Sequence, residues 1–240
     1  MIINRPKFKI VCDVETSGSC PIRNGVISAC ILVIDEHCNV VDEFIRNVCP
    51  PDLTKKWWSL EAQGIHGISY ETVQTYMPND QFCYELLIFL SKYRGESAFD
   101  FICHANPSGW FSKTEGWIIV KWFDYNFLEW CFRKAKFKDG TEMVWTMNKV
   151  ISSSYLISTV KMGKEAGHKK NNLKVWSERI GFDLKHHDPT SDTYCCLEIY
   201  KHLRATNEDS FGNKLQVGIQ EPSGLYNLPG TNEEHATRLI

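Results

Sequence analysis

The chain has 240 residues, of which 43% are hydrophobic and 23% charged, and its formal net charge at pH 7 is −2. This length suits one large domain, or one domain followed by a tail, and the apolar fraction is that of an ordinary globular protein. The slightly negative charge argues against binding of nucleic acid through bulk positive charge, although it does not exclude a nucleic-acid enzyme.

Two features of the sequence bear on the compartment. The N-terminal stretch 1–6 is too short and too interrupted for a signal peptide, and no apolar run approaches the length of a membrane span. The ten cysteines include no Cys-x-x-Cys pair, and most of them lie in apolar runs, which favours buried reduced thiols. We therefore expect an intracellular, cytoplasmic protein with no membrane contact.

The first predicted strand, over 8–14, leads into two carboxylates, Asp13 and Glu15. Because side chains alternate between the faces of a strand, both carboxylates project to the same side. A Thr-Ser-Gly turn follows at once. Neighbouring carboxylates repel each other unless a proton or a cation lies between them, and such oxygen ligands suit Mg²⁺ or Mn²⁺. Taken alone, the pair fits a metal site and a strand end with solvated acids equally well.

The next segments predict a sheet with its first covering helices. Apolar runs over 26–34 and 40–48 complete a meander of three strands, which a Pro-Pro pair ends. The stretch 59–69 is predicted as a short helix running into a loop, and a clear amphipathic helix begins at Asn79. A compact buried strand is predicted over 97–103. This alternation indicates an α/β domain with a mixed sheet.

The second half of the chain begins with a segment that fits no regular pattern, 107–121, which we interpret as an inserted loop. Downstream of it the apolar spacing predicts four helices and one short strand. The helices are predicted over 124–136, 148–160, 172–180 and 189–203, and the strand over 143–146. In the last helix, Asp188 is the predicted N-cap and Pro189 the first residue.

The composition changes after Arg204. Gly, Asn, Glu, Pro and Ser dominate from there on, with only scattered apolar residues. We therefore divide the chain into a domain over 1–204 and a C-terminal tail over 205–240. Because free segments with spaced apolar residues can fold on a partner, the tail is expected either to wrap the domain or to bind another protein.

Three short motifs and a His–Asp pair stand out by their order. Residues 13–18 read Asp-Val-Glu-Thr-Ser-Gly, residues 123–128 read Phe-Asp-Tyr-Asn-Phe-Leu, and residues 65–68 read Ile-His-Gly-Ile. His187 precedes Asp192 by four intervening residues, and Asp192 lies in the first turn of the last predicted helix. This set resembles the DEDDh branch of the DEDD 3′–5′ exonuclease superfamily, which includes the proofreading epsilon subunit, ribonuclease T and oligoribonuclease. The resemblance covers about residues 8 to 203.

The resemblance implies a ribonuclease H-like fold, with a mixed sheet of about five strands flanked by helices. It also implies metal-dependent hydrolysis of phosphodiester bonds at single-stranded DNA or RNA 3′ ends, which releases nucleoside 5′-monophosphates. Two Mg²⁺ or Mn²⁺ ions would supply the nucleophile and stabilise the developing charge.

The same resemblance assigns a role to each matching residue. Asp13 would bridge both ions, and Glu15 and Asp192 would complete the first ion's site. Asp124 would hold the second ion, largely through water. His187 would act as general base on the attacking water, since a histidine titrates near neutral pH.

Three more residues are candidates for binding the substrate, and other residues compete for the assigned roles. Thr16 and Ser17 follow the first acidic pair, and His66 of the third motif could line the groove or act only as a packing residue. His186 is an alternative base if the loop is offset. Asp100, which lies inside a predicted strand, mimics the second motif.

The sequence departs from the family pattern in the segment before Asp124. In the family this acid follows the His-containing stretch after a few residues, whereas here the insertion 107–121 separates Asp124 from the His-Ala-Asn stretch at 104–106. The aromatic residues of this insertion could stack on a terminal base or pack on their own domain. The basic stretch 161–170 could guide a phosphate backbone or form a solvated face.

Two other function classes compete with a free exonuclease. One is a proofreading or repair subunit that a polymerase or other protein holds through residues 205–240. The other is a non-catalytic binding module, which would be expected to lose the acids or the histidine, whereas all are present. The choice between DNA and RNA stays open.

Overall fold

The chain was analysed as a computed structural model that describes residues 7–95, 98–104, 108–112, 116–120, 123–159 and 172–206. The strands in chain order are β1 (Lys9–Thr16), β2 (Val26–Ile34), β3 (Val40–Cys49), β4 (Met77–Pro78), β5 (Phe99–Cys103), β6 (Ser108–Ser112), β7 (Gly116–Val120) and β8 (Ile151–Ser158). The helices are α1 (Leu60–His66), α2 (Tyr70–Val73), α3 (Asn79–Ser91), α4 (Phe123–Lys134), α5 (Val144–Val150), α6 (Leu173–Ile180) and α7 (Pro189–Thr206).

The main sheet is mixed and has the strand order β4-β3-β2-β1-β5-β8. β1, β2 and β3 form the antiparallel meander, whereas β5 runs parallel to β1 and β8 runs parallel to β5. β4 contributes only two residues beside β3. Five longer strands with flanking helices therefore confirm the predicted α/β class and the mixed sheet.

The two faces of the sheet pack on different helices, and the alternation of β1 divides its side chains between them. Cys12 and Val14 join the larger core, which α3, α4 and α5 cover. Val11 joins a second core with Cys196 and Leu197 of α7. Residues 13 and 15 share the parity of Val11, so the sequence pattern directs the acidic pair to the α7 side.

Several predicted boundaries are confirmed. β2 has the predicted bounds and is buried along its whole length, as expected for a strand covered on both faces. α3 begins at Asn79, and α7 begins at Pro189. The Asp188 carboxylate accepts a hydrogen bond of 3.2 Å from the backbone N–H of Thr190, which confirms it as the N-cap.

Three predictions in the second half are wrong. The strand predicted over 143–146 and the helix predicted over 148–160 are in fact α5 followed by β8. β8 pairs with β5, so non-local strand pairing decides the structure of a short run that periodicity alone could not assign. The segment interpreted as an irregular loop contains an antiparallel hairpin of β6 and β7. Glycine, aromatic and β-branched residues in these two runs suit such a hairpin.

Some predictions lie outside the described residues. These are the basic stretch 161–170, the part of the tail from 207 to 240, and the side chains of the 107–121 insertion. The boundary at 204 and the role of the tail therefore stay predictions. None of the ten cysteines forms a disulfide, and eight of them are buried, as predicted for reduced core thiols. In the part of the chain that is described, no helix has the length and apolar content that a membrane crossing requires.

Candidate active site

Three carboxylates meet where β1 ends beneath the start of α7. Asp13, Glu15 and Asp192 each bring one oxygen into a group whose members all lie within 4.8 Å of one another. β1 positions the first two through its alternation, and the first turn of α7 positions the third. Asp192 is only 4% exposed. The structure therefore brings together acids from opposite ends of the described chain.

A fourth acid, Asp124, reaches this cluster from the first turn of α4. It is 4% exposed, and its Oδ1 accepts a hydrogen bond of 3.3 Å from the backbone N–H of Val14. This bond fixes the start of α4 against the strand that carries Asp13 and Glu15. Asp124 lies outside the tight group of three oxygens, yet it is close enough to raise the pKa of Asp13.

Every acid of the cluster has a raised pKa, and burial is the largest cause in each case. Burial and then the charge of Asp124 raise the pKa of Asp13 well above its usual value. Burial and then Asp192 raise the pKa of Glu15 to about 8. The pKa is raised to about 7 at Asp124 and to about 6 at Asp192. At neutral pH it is therefore unfavourable for all four carboxylates to be ionised at once, unless the cluster binds protons or cations.

One carboxylate oxygen of the cluster lacks a partner among the described residues. Asp192 Oδ2 accepts a hydrogen bond of 3.0 Å from the backbone N–H of His187, whereas Asp192 Oδ1 is buried with no hydrogen bond. A buried acceptor without a partner is destabilising, and a cation would satisfy it. Carboxylate oxygens without sulfur or amide ligands suit a hard divalent ion such as Mg²⁺ or Mn²⁺. The residues present therefore fit the metal that the sequence implies.

Two histidines stand beside Asp192. The rings of His186 and His187 stack at 3.9 Å with an interplanar angle of 16°. His186 Nδ1 lies 3.6 Å from Asp192 Oδ2. Burial and then the neighbouring His186 lower the pKa of His187. The structure thus brings the predicted base and its alternative to the same carboxylate.

The backbone of His187 has a left-handed conformation, with φ of 67°. This region is uncommon for residues other than glycine and costs about 1–3 kcal/mol unless the surroundings stabilise it. The hydrogen bond from its N–H to Asp192 contributes such support. The loop before α7 is therefore shaped around the acidic cluster.

The alternative second-motif acid, Asp100, lies at the opposite end of the sheet. Its carboxylate is 2.6 Å from Lys9 Nζ, and it pairs across the sheet with the first residue of β1, whereas the acidic cluster lies at the end of that strand. Asp100 is therefore excluded as a member of the cluster by its position, and it pairs there with the half-buried Lys9.

The three candidate substrate-binding residues lie close to the end of β1. Thr16 and Ser17 are buried; Thr16 Oγ1 donates to Gly18 O at 2.8 Å, and Ser17 Oγ accepts from Gly25 N at 3.0 Å. Both hydroxyls therefore shape the turn after β1. His66 ends α1, and burial followed by the charge of His187 lowers its pKa, while the Thr16 carbonyl opposes this shift. Of the three residues, His66 is the one whose pKa is affected by a residue of the candidate site, His187.

Asn24 is a site-supporting residue that the sequence analysis missed. Its Nδ2 donates to the carbonyls of Ser17, at 3.3 Å, and Trp57, at 2.6 Å. A Cβ added to Gly18 would lie 2.7 Å from the Asn24 side chain, so that glycine is required for the close approach. Polar turn composition near residue 24 was visible in the sequence, but nothing there indicated the distant partner at residue 57.

Solved structures of other proteins have a similar fold, although comparisons of the sequence alone find no match. No protein-family model matches the chain, and no curated protein matches its sequence. The nuclease domain of 3′hExo, a DEDDh family member bound to rAMP, matches with a TM-score of 0.57 and 14% identity, over 89% of this chain and 96% of that one.

Two further solved structures match with similar scores. One is a 3′-exonuclease with 3′-end-specific recognition of a histone mRNA stem-loop, with a TM-score of 0.55, 12% identity and coverage of 82% of this chain and 63% of that one. The other is the complex of E. coli exonuclease I with ssDNA, with a TM-score of 0.56, 12% identity and coverage of 84% and 41%. The chain thus spans less than two thirds of these two proteins. It has the fold of DEDDh 3′-exonucleases, which confirms the ribonuclease H-like architecture expected from its motifs.

Proposed function

We propose that this protein is a metal-dependent 3′–5′ exonuclease that hydrolyses phosphodiester bonds at single-stranded nucleic-acid 3′ ends and releases nucleoside 5′-monophosphates. The observation that carries the proposal is the convergence of Asp13, Glu15 and Asp192 within 4.8 Å, beside a buried Asp124. Like charges are rarely buried together without a function, because each raises the pKa of its neighbours. The shared fold supports the same reading.

The four acids divide into a tight group and an outlying member. Asp13, Glu15 and Asp192 would hold one divalent ion, and Asp13 would also reach a second ion that Asp124 holds mainly through water. This division agrees with the position of Asp124 outside the tight group and with its hydrogen bond to Val14. Two such ions, when bound, activate water and stabilise the attacking and leaving oxygens of a phosphodiester.

The histidine loop supplies a proton acceptor beside the acids. A pKa lowered by burial keeps His187 neutral near pH 7, so the ring can take a proton from the attacking water. Its backbone N–H donates to Asp192, which ties the loop to a proposed ligand. The stacked His186 supports the ring from one side. We therefore assign His187 as general base and His186 as a positioning residue.

Two of the similar structures are complexes with different nucleic acids, one with an mRNA stem-loop and one with ssDNA. The test therefore uses both. The full chain is incubated with 5′-labelled DNA and RNA oligonucleotides of one sequence, with Mg²⁺ or Mn²⁺ and then with a chelator. Stepwise shortening from the 3′ end that requires the metal is the expected result.

Two variants make the test specific. Asp13→Ala is expected to abolish shortening, whereas Glu36→Gln, a change at an exposed acid far from the cluster, is expected to cleave like the unmodified protein. Asp13→Ala protein that cleaves at the unmodified rate would contradict the proposal, as would shortening that persists without metal.

A further inference from the structure

An exposed aromatic and cationic surface lies beside the turn after β1. Two cations lie over the indole of Trp57: the Arg23 guanidinium is 4.6 Å from a ring centroid and Lys56 Nζ is 4.8 Å from one. Trp57 is 38% exposed, and both cations are exposed. We call Arg23, Lys56 and Trp57 the Trp57 patch.

The Trp57 patch is fixed to the strand that carries the acids. Asn24 Nδ2 donates to both Trp57 O and Ser17 O, and the backbone N–H of Ser59 donates to Ser17 O at 3.0 Å. Ser17 lies two residues beyond Glu15, a distance of about 7 Å along an extended chain. The patch is therefore held next to the acidic cluster.

The patch is also fixed to α4, the helix that begins with Asp124. Lys134, near the end of that helix, donates from Nζ to the carbonyl of Ile22 at 3.0 Å and forms an ion pair of 2.9 Å with Asp52. One lysine therefore joins the β1–β2 turn to the segment that carries Trp57. This bracing makes the patch a preformed surface, which lowers the entropy cost of binding.

The charge of the patch is uncompensated, unlike that of its neighbours. Lys55 pairs with Glu71 at 3.4 Å, and Lys134 pairs with Asp52. For Arg23 and Lys56, no ion pair is found among residues 7–95 and the other described segments. A lone exposed cation is usually only solvated. Two of them on one exposed indole form a site for a ligand that carries both negative charge and flat rings, as a single-stranded nucleic acid does.

We infer that the Trp57 patch binds the single strand a few nucleotides to the 5′ side of the terminal phosphodiester. A base takes the place of a cation over the ring of Trp57 and stacks there, and the side chains of Arg23 and Lys56 pair with the neighbouring phosphates. The inference rests on the proposed exonuclease function and adds to it the surface that holds the strand. Because the net charge is −2, strand affinity has to come from such a local surface.

The test measures binding of a 5′-fluorescein-labelled oligo(dT) ten-mer by anisotropy, with Asp13→Asn in every protein to prevent cleavage. Trp57→Ala is expected to weaken binding on the order of 10-fold, and Trp57→Phe to restore most of the loss, because stacking needs only an aromatic face. Arg23→Ala/Lys56→Ala is expected to flatten the slope of log K against log salt by about 1.4, the value for two lost contacts on a single strand. Trp57→Ala should leave that slope unchanged.

Matched controls come from an exposed tryptophan and an exposed lysine elsewhere. Trp145 is 58% exposed on α5, and Lys92 lies over the Phe89 ring at 5.5 Å, beyond the end of α3. Trp145→Ala and Lys92→Ala are expected to bind like the parent protein. Equal losses in the controls and in the Trp57 patch variants would overturn the inference.

Cleavage assays in the unmodified background separate the two proposals. The Trp57 patch variants are expected to raise KM for the ten-mer more than for a dinucleotide. If the protein degrades oligonucleotides and the patch variants keep the same KM and affinity, the inference fails while the exonuclease proposal stands. If the unmodified protein neither cleaves nor binds oligonucleotides, the exonuclease proposal fails and the inference fails with it.

Discussion

The two ends of β1 treat buried charge in opposite ways. At its start, the half-buried Lys9 and the buried Asp100 form an ion pair of 2.6 Å, so each charge is neutralised by the other. At its end, Asp13 and Glu15 face Asp192 with no cation among the described side chains. One strand thus carries a pair that is complete in the folded protein and a cluster that, under the proposed function, a bound divalent cation completes. The Lys9–Asp100 pair therefore has a structural role, whereas the acidic cluster lowers the stability of the metal-free fold and is suited to binding a cation.

The largest expected effect is on activity at the acidic end. Asp13→Asn keeps the shape of the side chain but removes its charge, so the loss of metal binding should lower kcat by about 10³-fold, corresponding to several kcal/mol. The same change removes like-charge repulsion and should stabilise the metal-free protein by about 1 kcal/mol. Oligonucleotide hydrolysis and urea unfolding measure the two effects. Lower stability in the metal-free variant would contradict the repulsion argument.

The next effect is on stability at the paired end. Lys9→Met leaves Asp100 buried without its partner and should cost about 3 kcal/mol of unfolding free energy. Lys9→Met/Asp100→Leu removes both charges and should recover most of that loss. Urea unfolding with saturating Mg²⁺ measures both variants. A double variant no more stable than Lys9→Met would show that the pair does not act as a unit.

A third effect distinguishes the two histidines at the acidic end. His187→Asn keeps a residue that tolerates positive φ but cannot act as the base, so kcat should fall about 10²-fold or more. His186→Asn removes only the stacked neighbour and should lower kcat by less than about 10-fold. The pH dependence of kcat checks the assignment, since only His187→Asn should abolish the acidic limb. The reverse ranking would make His186 the base.

The last expected effect, which is the smallest when counted for one proton over one pH unit, is on the pH dependence of stability. The pKa values of Glu15, at about 8, and Asp124, at about 7, exceed those of unfolded carboxylates, so the folded state binds more protons than the unfolded state between about pH 5 and 8. The metal-free protein should therefore lose stability as pH rises from 5 to 8, by about 1 kcal/mol per pH unit for each extra proton. Saturating Mg²⁺ should reduce or reverse this slope. Urea titrations across that pH range, with and without metal, measure it; a metal-free slope of zero or above would contradict the expectation.

The sequence predicts a feature at either end of β1 only when the interacting residues lie close together along the chain. Strand alternation was enough to pair Asp13 with Glu15, and local capping chemistry was enough to start α7 near Asp192. The Lys9–Asp100 pair depends on the register of two parallel strands far apart in the chain, which no local pattern encodes. For the same reason β8 was mistaken for a helix, and the link from Asn24 to Trp57 was missed. The roles of the acids and of His187 remain proposals, although the structure brings all of them together.

The placement of α7 has a consequence for synthesis. Thr193, just after its first turn, lies against β2: its hydroxyl donates at 2.6 Å to the carbonyl of Pro189 and lies 3.3 Å from the carbonyl of Cys30, 163 positions earlier. A growing chain therefore displays Asp13 and Glu15 long before Asp192 leaves the ribosome. Until α7 docks, the proposed metal site lacks one of its ligands, so a chain synthesised only as far as α6 is expected to have no hydrolytic activity. We therefore expect hydrolytic competence to appear only once residues 189–206 have been made and have docked on the sheet.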